Sequence, residues 1–353
     1  MDIEVRNSTA YWRVILAISI VLAILLIGLN LALGSVYIPL DEVVSTFIKG
    51  RSSNIVWENI LIRTRLPQTI TAASAGMGLG IAGLMMQTLF RNPLAGPSVL
   101  GISSGASLGV AIVVMASGQL FGVSLSSIGI LGDATIIAAS LAGALAVLLL
   151  ILSLSKRIGG TLGVLILGVM VGYMASSIVG ILKYYSKEAD VHSYVIWGLG
   201  SFSRLALTKA YLFAGITIIF SFLSFLLAKQ LNIISLGERY AANLGVKVGR
   251  ARMLIILFSG ILTAIVTAFC GPIVFIGLAV PHLVKLLIRT SNHIYLVAFT
   301  AVFGVVISLF CNLLARLPGL EVTLPINSVT AFIGAPVVIS VIMRKRKATT
   351  DGE

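Results

Sequence analysis

From Leu66 to Phe90 the chain carries no charged side chain, and this stretch rules out most folds open to a chain of 353 residues. At 1.5 Å rise per residue, a helix of about 25 residues is longer than the ~30 Å hydrocarbon core of a bilayer. Both ends are punctuated, by RTRLPQ before and RNPLAGP after. Gly76, Gly78, Gly80 and Gly83 sit inside it. The spacing of Gly76 and Gly80 puts two bare patches on one face, where another helix can pack closely. The same spacing recurs beyond Pro93 and Pro97, at Gly101, Gly105 and Gly109.

The rest of the chain agrees with a membrane protein. Only 10% of its residues are charged and 58% are hydrophobic, against roughly 25% charged in a soluble domain. The net charge of +13 does not describe a nucleic-acid face, because the basic residues fall in short clusters between apolar runs. Cys270 and Cys311 both lie in apolar segments, where a thiol behaves as a small hydrophobe, and are expected free and buried.

The first apolar run, Val14 to Gly34, is too long for the ~7–15-residue core of a secretory signal and reads as an uncleaved helix. A polar stretch, Ser35 to Arg65, returns the chain to Leu66–Phe90. Further spans are expected near 98–117, 132–155, 162–182, 210–228, 251–269, 273–290, 294–315 and 327–343, giving about ten helices in all. Asp133 is expected at an outer helix end, because an unpaired carboxylate in hydrocarbon is costly. One helical domain over 1–353 follows, with a start at 1–13, a bundle over 14–343 and a basic tail at 344–353.

With an even number of spans both termini share one side. Alternating loops place 16 of the 25 basic residues there, including Lys156, Arg157 and the RKRK tail, so the positive-inside rule puts both termini in the cytoplasm. Nine basic residues stay outside, among them Arg63, Arg65, Lys183, Arg204 and Arg316. Two accounts stand for the arginines at outer helix ends: snorkelling to water, or meeting carboxylates on a docking protein.

Two connectors are distinctive. Tyr184 to Lys209 is expected to cap the outer surface, with Tyr184, Tyr185, Tyr194 and Trp197 at headgroup level; His192 there reads as solvated or hydrogen-bonded. Leu227 to Arg252 is the longest cytoplasmic interruption, and Gly237 and Gly245 bracket GERYAANLG, which can form a short helix with Glu238 at its positive end. Later, Gly271 and Pro272 break one helix and start the next, and Pro281 and His282 suggest a kink with a structural or coupling role.

The chemistry that is missing is equally informative. No G-x-x-x-x-G-K-[ST] phosphate loop occurs, so ATP hydrolysis is not expected of this chain. No His/Cys/Asp/Glu set has metal-ligand spacing, and no cofactor is expected. Span centres lack the carboxylates that ion-coupled transporters carry. The driving energy is expected from a partner.

Five ordered stretches, RLPQ, GLMMQTLFRNPLAGPSVLGISSGASLG, GERYAANLG, GPIVFIGLAVPHLVKLL and LPINSVTAFIGAP, closely resemble the FecCD family of ATP-binding-cassette importer permeases. The resemblance covers nearly the whole chain beyond the first helix. It implies an all-α integral membrane bundle of ten transmembrane helices in a bacterial inner or plasma membrane. It also implies a second permease subunit, identical or paralogous, two cytoplasmic ATPases and an extracytoplasmic binding protein. Gly237, Glu238, Ala241, Ala242, Leu244 and Gly245 then match the ATPase-docking contact. Arg65 and Arg316 match arginines that meet the binding protein, Gly160 and Thr161 match the inner gate, and the fifth and tenth helices line the path, with scattered Ser176, Ser177, Ser328 and Thr330.

Two departures stand out. Members often read RLPR where this chain has Gln68, so Arg63 is expected to substitute for a missing docking charge. They also often read E-x-P-x-G where this chain has Thr323, Pro325 and Asn327, with Glu321 displaced by two residues. The implied cargo is a ferric siderophore, with haem or cobalamin as alternatives. An ion-coupled secondary transporter and a membrane enzyme are the competing classes.

Overall fold

The computed structural model describes residues 2–50, 54–116, 130–158, 160–317 and 323–350; the displaced Glu321 and the outer Arg51 lie outside them. Every regular element among these residues is helical. α1 (Asp2–Ala32) already begins in the polar start of the chain, and α2 (Leu40–Lys49) and α3 (Ile55–Ile60) fold the polar return. A π-helical turn at Leu61–Arg65 leads into α4 (Leu66–Leu89), with Pro67 in the first turn, where its missing N–H costs nothing.

α5 (Ile102–Ala111) follows a 3-10 turn at Pro97–Leu100, then come α6 (Ile130–Ser155), α7 (Thr161–Tyr185) and α8 (Glu188–Gly198). α9 (Leu207–Phe225), α10 (Ala228–Ser235), α11 (Glu238–Asn243), α12 (Val248–Cys270), α13 (Ile276–Ile288), α14 (His293–Leu314) and α15 (Ile326–Thr350) complete the chain. Seven of the helical segments are long and apolar enough to cross a membrane, and three shorter apolar ones, Ile102–Met115, Ile276–Ile288 and Ile326–Ile339, fall on the remaining expected spans. Asp133 is exposed in the first turn of α6, Pro281 is accommodated inside α13, and both cysteines are free and buried.

α4 is the axle of the bundle, buried along nearly its whole length and packed on α9, α12, α13 and α14. Its glycines explain how so many helices reach it. A Cβ on Gly76 would run into the Gly304 carbonyl of α14, and one on Gly83 into the Gly277 carbonyl of α13. Without lipid-side hydrophobic drive between helices, such backbone proximity is what lets dispersion hold them together. Gly105 and Gly109 of α5 meet Gly143 and Ala139 of α6 in the same way.

The expected outer cap departs in part from that expectation. Tyr184 and Tyr185 are exposed, but Tyr194 and Trp197 are buried in a small core with Val110, Ala111, Val114 and Met115. The helical turn of α8 points those two rings inward onto α5, which buries more apolar area than a headgroup position would.

Candidate functional site

At one end of the bundle the GERYAANLG segment folds as expected into a short helix, α11. Gly237 at φ +116° and Gly245 at φ +80° make its entry and exit, conformations that side-chain-bearing residues rarely adopt. Ala241 is fully buried and seats the helix, while Leu236, Tyr240 and Leu244 are 59%, 55% and 56% exposed. Ala242 is exposed beside them. Glu238 is turned sideways: its Oε1 accepts from Arg252 Nη2 at 2.6 Å and from Arg252 Nε at 3.1 Å, tying α11 to α12.

Thr161, at the start of α7, shares a cleft with Arg91, Gly237, Glu238 and Tyr240. Gly160 precedes it at φ +80° with open space around its α-carbon. The expected inner gate and the expected docking helix are therefore neighbours. Arg91, at φ +49° just past the end of α4, brings its guanidinium against Gly237, where an added Cβ would lie 3.3 Å from Nη1.

Sequence reasoning missed a second cleft at this end, lined by Gln87, Arg91, His282, Lys285 and His293. His293 is buried between Thr88 Oγ1 and Asn232 Oδ1, each 2.8 Å from a ring nitrogen. The S-N-H start of α14 is visible in sequence, but its partners come from α4 and α10, far along the chain.

At the opposite end two of the three expected docking arginines, Arg65 and Arg316, are inside the protein. Arg65 is 3% exposed and donates from Nη1 to the Leu31 and Ala32 carbonyls at 2.7 and 2.8 Å, and from Nη2 to the Val36 carbonyl. It thereby caps the C-terminal end of α1, whose last carbonyls have no partner within the helix. Arg316 is 8% exposed; its Nη1 donates to Gln68 Oε1 at 2.8 Å and its Nη2 to Asn30 O and Oδ1 at 3.1 and 3.2 Å. Gln68 Nε2 donates to Asn312 Oδ1 at 3.0 Å, and Asn312 Nδ2 to Asn30 Oδ1 at 2.8 Å, closing a ring of four side chains. Burial and the nearby Arg65 guanidinium push the Arg316 pKa down to about 10. Arg63 is exposed at this end.

The path residues separate. Ser176 and Ser177 lie on the open face of α7, and Ser328 is exposed at the start of α15. Thr330 is buried and bonds the Asn327 carbonyl, facing α13 and α14. Asn327, at the departure from the usual motif, receives the Val274 N–H on its Oδ1 at 3.4 Å and donates its own N–H to Leu199 O, tying α15 to the breaks before α13 and after α8.

A bundle of membrane-length helices around a glycine-rich axle, with a short glycine-bracketed helix held at one end, defines a multi-pass membrane permease of the ATP-binding-cassette importer class. The chain belongs to the FecCD transport family, whose model matches residues 21–344. It is 31% identical to the hemin transport system permease protein HmuU of Yersinia pestis over 92% of this chain and 95% of that one. Identity to the vitamin B12 import system permease protein BtuC of Citrobacter koseri is 32%, covering 93% of each. A solved structure assigned to a metal-chelate type ABC transporter in an inward-facing conformation superposes with a TM-score of 0.79 at 28% identity, covering 94% of this chain and 99% of that one. Family membership decides against the ion-coupled transporter and the membrane enzyme. ATPase and binding-protein partners are general to such importers.

Proposed function

We infer that this chain is the membrane subunit through which a ferric siderophore passes from an extracytoplasmic binding protein to the cytoplasm, driven by two separate ATPases. The observation that carries the reading is α11: tied to α12 through Glu238 and Arg252, it leaves Leu236, Tyr240 and Leu244 standing clear of the bundle. A short helix buried on one side and apolar on the other acts as a lever. Movement of an ATPase docked on Leu244 and its neighbours reaches α12 through the ion pair and α4 through Arg91 at Gly237. Gly237, Glu238, Ala241, Ala242, Leu244 and Gly245 form this coupling contact, and Gly160 and Thr161 form the inner gate beside it.

The assembly pairs this permease with a second copy or a paralogue, and both termini lie in the cytoplasm. α7 and α15 line the path, with Ser176, Ser177 and Ser328 on its wall, and Arg63 faces the binding protein. Residues 1–353 act as one permease domain in a bacterial inner or plasma membrane. A metal-chelate cargo is supported by the hemin permease and the metal-chelate type transporter among the relatives.

The test is uptake of radiolabelled iron, supplied as a panel of ferric siderophores and as haem, in cells with and without this gene. Loss of one siderophore's uptake on deletion, restored by complementation, is the expected result. Dependence of haem or cobalamin uptake alone on the gene would replace the siderophore reading while keeping the permease.

A further inference from the structure

Hydroxyl groups in the membrane-spanning helices are mostly returned to their own backbone. Thr69, Thr71, Thr88, Thr217, Ser224 and Thr263 each donate to the carbonyl four residues earlier at 2.7–2.8 Å. This is how a hydroxyl avoids standing unpaired in apolar surroundings.

Among the described residues Ser140, Ser221, Thr300 and Ser308 are buried without such a partner, but one cleft gathers several serines on a single open surface. It is about 380 Å³ in volume, lies between α5, α7, α8 and the break before α13, and is lined by Ser98, Ser103, Ser104, Ser107 and Ser176. Among the described residues, the hydroxyls of Ser98, Ser104 and Ser176 have no hydrogen-bond partner in the protein. Ser103 Oγ lies 3.3 Å from Thr267 Oγ1, and Ser107 and Tyr194 share the lining. The Tyr194 ring in turn carries the Lys183 ammonium, 4.9 Å from its centroid, at the cleft's edge. The described lining thus holds one cation, several unused hydroxyls and no carboxylate.

Neighbouring cavities do not share this chemistry. The one beside it mixes Asp133 with Arg204 and Lys209, and the one between α13, α14 and α15 is almost wholly apolar. Position matters too. Thr161 at the start of α7 adjoins the coupling helix, and Lys183 is about 33 Å further along the same helix at 1.5 Å per residue, so the cleft opens toward the opposite end. Ser176 and Gly180 are exposed on that face.

We propose that this serine-lined cleft, with Lys183 at its edge, is a selectivity subsite on the translocation path that takes a negatively charged metal chelate with an oxygen-rich rim. The proposal rests on the siderophore-permease reading and adds the chemical class of the cargo. Catecholate or carboxylate oxygens accept from the serine hydroxyls, and the ammonium offsets the chelate's charge as it leaves water. Hydroxyls and one ammonium bind weakly enough for the cargo to move on, as a transit site requires. An uncharged hydroxamate chelate gains little from Lys183.

The experiment uses the whole transporter in cells lacking the native gene. Initial uptake of radiolabelled iron is measured as an anionic tris-catecholate, an anionic hydroxycarboxylate and a neutral tris-hydroxamate, alongside labelled cobalamin. The wild type is expected to take up an anionic chelate. Lys183→Gln is expected to slow it about tenfold, the effect of one lost charge contact of about 1.4 kcal/mol, and Lys183→Arg to restore most of the rate. Ser104→Ala with Ser176→Ala is expected to slow it severalfold. Binding-protein affinity for the assembled transporter stays unchanged in each variant, and Lys187→Gln on the exposed cap serves as the control. Uptake of only the neutral chelate, or wild-type anionic uptake in Lys183→Gln, overturns the subsite while leaving the siderophore reading. A drop in binding-protein affinity that accounts for the loss makes Lys183 a docking residue and overturns it as well. Failure of every ferric chelate, with cobalamin taken up, rejects the siderophore reading itself.

Discussion

Arg316 Nη1 donates to Gln68 Oε1 across 2.8 Å, from the end of α14 to the first turns of α4, with both side chains buried. In sequence Gln68 looks like a docking charge gone missing. In the folded protein it is the acceptor that a buried guanidinium needs, and its amide N–H passes the connection on to Asn312. A third guanidinium at this position would face Arg316 and Arg65 without a described carboxylate between them.

Gln68→Leu is accordingly expected to cost about 1–3 kcal/mol, because Arg316 loses a charge-assisted hydrogen bond and Asn312 Oδ1 loses its donor while both stay buried. Thermal unfolding of the purified permease in nanodiscs reads this as a lowered midpoint. Gln68→Arg is expected to be worse than Gln68→Leu. An unchanged midpoint in both variants would show that the ring does not hold α1, α4 and α14 together.

Arg63 and Arg65 are two residues apart yet belong to different worlds, one exposed and one capping α1. Arg63→Glu is expected to leave the protein folded and to weaken binding-protein docking at low salt, with the difference shrinking as salt screens exposed charge. Arg65→Glu is expected to reduce the yield of folded protein, because a carboxylate beside carbonyl oxygens both repels and leaves them unpaired. Equal docking affinity for Arg63→Glu and wild type at low salt would remove Arg63 from the interface.

These arginines mark the boundary of what sequence could reveal. The spans are set by uncharged length, a local property, and all ten expected segments coincide with apolar helices. The Gly76 and Gly80 face was legible for the same reason, and it does meet α14 at Gly304 and Thr300. Whether a guanidinium at a helix end turns out to water or inward depends on which carbonyls lie nearby. For Arg65 those belong to α1, more than thirty residues earlier. The burial of Trp197 and the pairing of His293 with Thr88 and Asn232 are non-local in the same sense. The short helix α11 was legible because its glycines punctuate it, but the Arg252 partner of Glu238 was not.

Glycine contacts give a prediction about folding alone. A Cβ at Gly83 would overlap the Gly277 carbonyl, whereas one at Gly28 meets nothing within 4 Å. Gly83→Ala is expected to cost ~3 kcal/mol or more, since backbone cannot swing aside as a side chain can. Gly28→Ala is expected to be neutral or slightly stabilising through helix propensity. The recovery of monodisperse protein by size-exclusion chromatography separates the two, and equal recovery would mean that α4 and α13 are not held at this distance.

The Glu238–Arg252 pair separates two ways in which α11, in its proposed coupling role, could use its acid. If Glu238 served only as a charge presented to the ATPase, reversing it would impair coupling whatever stands at 252. The observed geometry makes it an internal tie, with both Arg252 donors on one carboxylate oxygen and side-chain exposures of 12% for Arg252 and 28% for Glu238. Glu238→Arg is then expected to leave insertion intact, to set two cations against each other and to uncouple ATP hydrolysis from uptake. Adding Arg252→Glu restores opposite charges across the same gap and is expected to recover a substantial part of the uptake. A coupling energy of about 1 kcal/mol or more across the double-mutant cycle is the signature of a direct contact. Failure of the reversed pair to improve on Glu238→Arg would move the role of Glu238 to the ATPase surface and leave Leu236, Tyr240 and Leu244 as the apolar part of that contact.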